Sequence, residues 1–208
     1  MLEYPKIETL YKRDKETFKV DVLQVRNPAF NCIKHWVWTE KIDGMNIRVG
    51  WDSWKKSFTI YSRNGQNVPE AGLLEPIKQC LDAAKFDSLF PSTDIVVFGE
   101  LFGAGIQKGK LYSDDKKFVG FDIFVHSIPP VGVWLSPFNT DQVLDQLGII
   151  MAPYRGHMSL QEATFLVAGG FNSDFGTAAA EGLVGRPQET LHDGRGNRII
   201  VKLKTKDF

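Results

Sequence analysis

Trp36-Val-Trp-Thr-Glu-Lys-Ile-Asp-Gly-Met-Asn-Ile-Arg-Val-Gly-Trp51 reads as two short β-rich runs on either side of Asp43-Gly44. Asp-Gly between such runs predicts a hairpin, because both turn residues of a two-residue hairpin take positive φ. Outward from this stretch, Phe58-Thr-Ile-Tyr61, Asp94 to Leu101, Phe118 to Val125 and Arg198 to Lys204 read as further strands. Helical spacing is found from Glu70 to Phe86, with apolar Leu73, Leu74, Ile77, Leu81 and Ala84. Two shorter helices are expected, Thr140 to Leu147 ending at Gly148 and Ser159 to Ala168 ending at a glycine pair. Strands outnumber helices without regular βαβ alternation. The expected fold class is α+β, with antiparallel β-sheets flanked by helices.

The chain has 208 residues, enough for one domain with a self-sufficient core. The first thirty residues are mixed and charged, and residues 1–35 form an N-terminal segment. Twenty-five Lys and Arg balance twenty-five Asp and Glu. That balance excludes binding of polyanions by bulk charge and leaves room only for local basic patches. Such patches are Lys55-Lys56, the run from Lys108 to Lys117 with Lys110 and Lys116, and Arg195 to Lys206. Cys32 and Cys80 make no disulfide framework and read as reduced thiols. No apolar run is long enough to span a membrane, and the N-terminus lacks the plan of a signal peptide. The expected address is the cytoplasm, or the host cytoplasm for a viral protein, and the expected state a monomer.

Several residues have chemical potential. Lys41 ends a strand just before a turn, where a lysine could act as a nucleophile. A free lysine, with a pKa of about 10.4, is neutral at pH 7 only about once in 2,500 molecules, so an active one needs burial or cationic neighbours. Arg63, after a strand and beside a turn, could grip phosphate or ribose. Glu100 shares a face with Val96 and Phe98 by period 2, an unusual place for a carboxylate unless it is paired, metal-bound or facing a cleft. Phe121 and Asp122 are expected on opposite faces of their strand. Glu181 precedes a short β-like segment. In the last strand Ile199, Val201 and Leu203 face one way, and Lys202 and Lys204 face the other. Taken singly, each has a plainer explanation as a solvated or core residue. As a set they supply a lysine nucleophile, cations for phosphates, oxygen ligands for a divalent metal and an aromatic to stack on a base. That set suits nucleotidyl transfer through a lysyl phosphoramidate.

In order along the chain, Lys41-Ile-Asp-Gly44, Ser62-Arg-Asn-Gly65, Phe98-Gly-Glu-Leu-Phe-Gly103, Phe118-Val-Gly-Phe-Asp-Ile123, Glu181-Gly-Leu-Val184 and Val201-Lys-Leu-Lys204 resemble the motifs of the covalent nucleotidyltransferase superfamily. Its members include polynucleotide ligases and mRNA capping enzymes. Within it, the sequence looks most like the ATP-dependent RNA ligases of the bacteriophage nick-sealing (RNA ligase 2-like) type. Asn46, two residues after Gly44, stands where DNA ligases and capping enzymes typically carry arginine. Phe98 to Lys108 and Val201 to Phe208 resemble that type's extended glutamate motif and closing strand.

The resemblance implies one adenylation domain with its nucleotide cleft between sheets; many ligases continue into a C-terminal OB-fold or helical domain, and the expectation here departs from them in having none, as a minimal ligase or one cut at the domain boundary. It implies Lys41 as the adenylated nucleophile, with Glu40 near the adenine and Asn46 near the phosphate. It further implies Arg63 and Glu100 at the AMP ribose and phosphate, Phe121 stacked on adenine, and Lys202 and Lys204 on ATP phosphates. Glu181, with Glu100, would place Mg2+ or Mn2+. The implied reaction joins RNA 3′-OH and 5′-phosphate ends, in nicked duplexes or single strands, as in RNA repair. Competing readings are a DNA ligase, a GTP-using mRNA guanylyltransferase and a binding module that has lost its chemistry.

Overall fold

The computed structural model describes residues 2–63, 65, 72–128 and 131–208. In it β4 (Trp36–Lys41) and β5 (Met45–Asp52) form where the sequence places them, yet they do not pair. The hairpin expected at Asp43-Gly44 is absent, and neither residue takes a positive φ. Each strand finds better partners in a different sheet, so the chain crosses over instead of turning back. Gly44 meets another need. A Cβ there would lie 2.4 Å from the Leu101 carbonyl oxygen and 2.9 Å from Glu100 Cγ, so only glycine lets the backbone pass this close.

The chain divides into two compact units, Met1–Pro5 with Asp43–Ala152, and Lys6–Ile42 with Pro153–Phe208. The first unit holds an antiparallel sheet in the order β6 (Ser57–Ser62), β5, β7 (Ile95–Phe102), β8 (Lys117–Ile128), β9 (Val131–Trp134). Odd-numbered Ile95, Val97 and Leu101 enter a core with Ile47, Val49 and Trp51. Helices α1 (Glu75–Gln79), α2 (Ala83–Leu89) and α3 (Pro137–Leu147) contribute Ile77, Phe86 and Leu144 to it. Even-numbered Val96 and Phe98 enter a second cluster with Leu2, Tyr4, Phe121 and Trp134. Burial on both faces explains why Ile95-Val-Val-Phe98 is continuously apolar.

The long helix expected from Glu70 to Phe86 is instead two short ones; Glu70 itself lies outside the described residues. Asp82 takes an extended conformation and its carboxylate accepts from the Ala84 and Lys85 amides, which ends one helix and caps the next. α3 starts earlier than expected, capped by Ser136 with Pro137 in its first turn, and stops at Gly148 with φ 77° as read.

β8 carries a bulge. Phe98 pairs with Asp122 and Gly99 with Gly120, which leaves Phe121 as the extra residue. The bulge switches the phase of the strand, so Phe121 and Asp122 do not face opposite ways as strict alternation requires. Tyr4 reaches both: its ring meets Phe121 edge-on at 5.1 Å and its hydroxyl donates to Asp122 at 2.8 Å.

The second unit holds a sheet in the order β1 (Glu8–Thr9), β12 (Val201–Lys204), β11 (Gly182–Pro187), β4, β10 (Tyr154–His157). β1 runs parallel to β12, and the other pairings are antiparallel. Trp36 and Trp38 of β4, Leu183, Val201 and Leu203 form its core with Ala163 and Val167 of α4 (Leu160–Gly169). Ser159 and Glu162 form a capping box at the start of α4. The hairpin of β2 (Tyr11–Arg13) and β3 (Val20–Val25) adds Tyr11, Val20 and Val25 to the same core. The N-terminal segment is thus shared, residues 2–5 with one unit and the rest with the other. No helix among the described residues is long and apolar enough to cross a membrane.

Candidate active site

The sheet of the second unit builds a cationic cluster around one carboxylate. Lys41 ends β4 and Lys204 ends β12, and both stand opposite Gly182, the first residue of β11 between them. Glu181, one residue earlier, therefore lies between the two lysines. Lys41 Nζ donates to Glu181 Oε2, and Lys204 Nζ lies 2.5 Å from Oε1. Gly182 is required there, since a Cβ would fall 2.0 Å from the Leu203 carbonyl oxygen. Three motifs far apart in sequence meet at one register position because antiparallel pairing places them there.

Burial pushes the Glu181 carboxyl up, but the charges and hydrogen bonds of Lys41 and Lys204 outweigh it and hold the group below its usual range. Lys202 stands in the middle of β12, opposite Val184 and Thr9. Burial, with the positive charges of Lys204, Lys41 and Arg13, pulls its ammonium down to about 8. Val201 and Leu203 point into the core, so Lys202 and Lys204 share the other face, as the alternation implied.

Glu40 has different company. Its carboxylate is completely enclosed. Arg155 Nη2 donates to Oε2 at 2.5 Å, the Asp174 amide donates to Oε2 at 3.2 Å, and the Ser173 hydroxyl donates to Oε1. None of these partners was legible in the sequence. A lone Arg-Gly pair and an Asn-Ser-Asp turn carry no signal that they meet.

The other expected residues belong to the first unit. Asn46, second in β5, is the register partner of Glu100 on β7. Its Oδ1 is buried with no hydrogen-bond partner among the described residues. Glu100 is half-buried, and Phe121 occupies the β8 bulge. Arg63 follows β6 in an exposed turn. Arg48, unnoticed in the sequence, is fully buried and donates to the Leu2, Ser62 and Arg63 carbonyls, which fixes that turn from beneath. An unpartnered buried amide oxygen beside a carboxylate is an oxygen-donor pair that suits a hard divalent cation completed by phosphate and water. Among the described residues no three His, Cys, Asp or Glu side chains cluster as a self-contained metal site.

Of the basic patches, Lys55 pairs with Asp52 at 3.2 Å and Lys56 with Asp87 at 2.5 Å, so that patch is locally neutralised. Lys108 and Lys110 are exposed on the loop after β7.

Over residues 34–204 the sequence matches the model of the RNA ligase family. No curated protein matches it. Its fold is similar to that of Naegleria gruberi RNA ligase, solved as a K326A mutant with ATP and Mn, at TM-score 0.67 and 18% identity over 99% of this chain and 64% of that one. An E312A mutant of the same enzyme, with AMP and Mn, gives TM-score 0.69 and 18% identity over 97% of this chain and 62% of that one. An archaeal ATP-dependent RNA ligase gives TM-score 0.63 and 17% identity over 99% of this chain and 48% of that one. The chain thus spans less than two thirds of the length of each of these solved proteins.

Proposed function

We propose, from the premise that this chain belongs to the RNA ligase family, that it is an ATP-dependent, AMP-forming RNA ligase working through a lysyl-AMP intermediate. The observation that carries the reading is the meeting of Lys41, Glu181 and Lys204 opposite Gly182. A lysine held at a strand end by a carboxylate, with two further lysines beside it, is equipped to receive a triphosphate.

In the first step Lys41 Nζ attacks the α-phosphorus of ATP. Lys41 attacks as the neutral amine, having given its ammonium proton to solvent; the Nζ–P bond forms, the bond to the bridging oxygen breaks and pyrophosphate leaves. Lys202 and Lys204 face the negative charge that develops on the phosphate oxygens. Glu181 holds Lys41 in place until substrate phosphates compete for the lysines. The resemblance assigns Asn46 and Glu100 to the phosphate and ribose, Arg63 to the same region and Phe121 to the adenine. Glu100 and Glu181 are the carboxylates we propose for Mg2+ or Mn2+, which when bound would polarise the phosphates. AMP then passes to an RNA 5′-phosphate, which frees Lys41, and an RNA 3′-OH attacks that adenylate to expel AMP. We take residues 1–208 as one adenylation domain, of the nick-sealing kind and monomeric. A reaction that consumes ATP and RNA ends fits the cytoplasm.

Intact mass after incubation with ATP and magnesium tests this. Wild type should gain AMP from ATP and not from GTP or NAD, and pyrophosphate should remove it. Lys41→Ala should gain nothing. A GMP adduct would favour the guanylyltransferase reading. A series of nicked duplexes varying RNA and DNA on each side separates an RNA ligase from a DNA ligase. A protein that never carries a nucleotide, as purified or after incubation, would leave only a binding role.

A further inference from the structure

We infer that Arg155 and Glu40 form a clamp that positions Lys41, and that Glu40 does not select the base. The inference rests on the reading of Lys41 as the nucleophile.

Glu40 and Lys41 are consecutive in β4, so they leave the strand on opposite faces. Lys41 shares the face of Lys202 and Lys204. Glu40 follows Trp36 and Trp38 on the core side. There its carboxylate has no exposed surface to offer a base, and the Arg155, Ser173 and Asp174 donors already occupy both oxygens. The Glu40 amide is fixed as well, donating to the Pro153 carbonyl at 2.8 Å.

Arg155 reaches this spot by a local device. β10 pairs Tyr154 with Thr39 and Gly156 with Trp38, which leaves Arg155 as the extra residue of a bulge. Gly156 takes φ 113°, a conformation that side chains disfavour. Bulges re-aim side chains, and this one aims a guanidinium at the residue next to Lys41. The guanidinium is itself held, by Asp174 at 2.8 Å, the Asn172 carbonyl at 3.0 Å and the Phe171 ring at 5.0 Å. A planar group tied at this many points fixes a strand end more firmly than a flexible ammonium does.

Single-turnover adenylation by ATP, read by intact mass, tests the clamp in wild type, Arg155→Ala, Arg155→Lys, Glu40→Ala, Glu40→Gln and the Arg155→Ala/Glu40→Ala double variant. The rate at saturating ATP should fall by roughly tenfold to hundredfold in either alanine variant. The ATP concentration for half-maximal rate and the preference for ATP over GTP should stay within about twofold of wild type. The double variant should be no slower than the slower single one, because the two residues act as a unit. Arg155→Lys should recover part of the rate. An unchanged rate, a shifted base preference or fully additive losses would overturn the clamp. Should Arg155→Ala not fold, Glu40→Gln and Arg155→Lys carry the same comparison. A wild type that takes up no AMP overturns the ligase reading, whereas normal adenylation by both wild type and Arg155→Ala overturns the clamp alone.

Discussion

Tyr4 donates a 2.8 Å hydrogen bond to Asp122, a residue 118 positions away whose carboxylate is fully buried. Its ring also packs on Phe98, Phe121 and Trp134, which ties the first residues of the chain to the sheet of the first unit. Tyr4→Phe keeps the ring and removes the donor. We expect a loss of about 1–3 kcal/mol from leaving a buried acceptor short of a partner, measured by denaturant unfolding. A loss of a few tenths would mean that Asp122 is fully served by its other neighbours.

Lys202 should set the alkaline limit of adenylation. It is held near 8, so the free protein keeps this cation below about pH 8 and loses it above. The second-order rate constant for adenylation reports the free protein's groups and should fall on the alkaline side of that value. Lys202→Arg stays charged throughout, so its profile should lose that limb. A limb unmoved by the substitution would place it on another group.

Glu181 makes an acid-side prediction. Its folded value lies below the ordinary 4.5, so the unfolded chain binds the proton more readily. The stability it contributes is complete above the ordinary range and is lost as pH falls through the folded value. Unfolding midpoints of wild type and Glu181→Gln, followed from neutral pH downward, should therefore converge on the acid side. A constant gap between them would show that its pairing with the lysines is not the source. The same variant should adenylate poorly, because both lysines lose their shared acceptor.

Gly44→Ala tests why that glycine is there. A Cβ 2.4 Å from the Leu101 carbonyl has no flexible neighbour to displace, so the cost should be about 1–3 kcal/mol, seen as a lower melting temperature. A hairpin turn at Asp43-Gly44 would instead place the cost in backbone strain at positive φ, which neither residue takes.

Much of the site was legible because the chemistry comes in order along the chain. Lys41, Glu181 and Lys204 each sit at a strand end that alternation and turn residues mark, and Ser159 and Glu162 announce their helix. No hairpin forms at Asp43-Gly44, because local turn chemistry is blind to partners elsewhere in the chain. β4 prefers β11, and β5 prefers β7. The bulges at Phe121 and Arg155 were invisible for a related reason. A one-residue slip is decided by packing, and it reverses the face of every residue beyond it. Arg155 was missed for the same cause, since only the bulge brings it to Glu40. The strands of the first thirty residues lacked a signal because their apolar residues are few and β1 depends on its parallel partner β12.

The chain leaves the second unit at Ile42 and returns to it at Pro153, so one sheet is interrupted by most of another unit. During synthesis β4 emerges before any strand of the first unit, and the carboxylate that will hold Lys41 follows 140 residues later. The sheet of the first unit draws on strands from one continuous stretch and can close as soon as β9 has emerged. The strand bearing Trp36, Trp38 and Lys41 must wait, with both edges unpaired, for β10 and β11. Pairing at such sequence separation is slow, and a waiting apolar edge is open to wrong partners. Folding of the nascent chain therefore ends where catalysis would begin: the lysine is made early, and its surroundings are completed last.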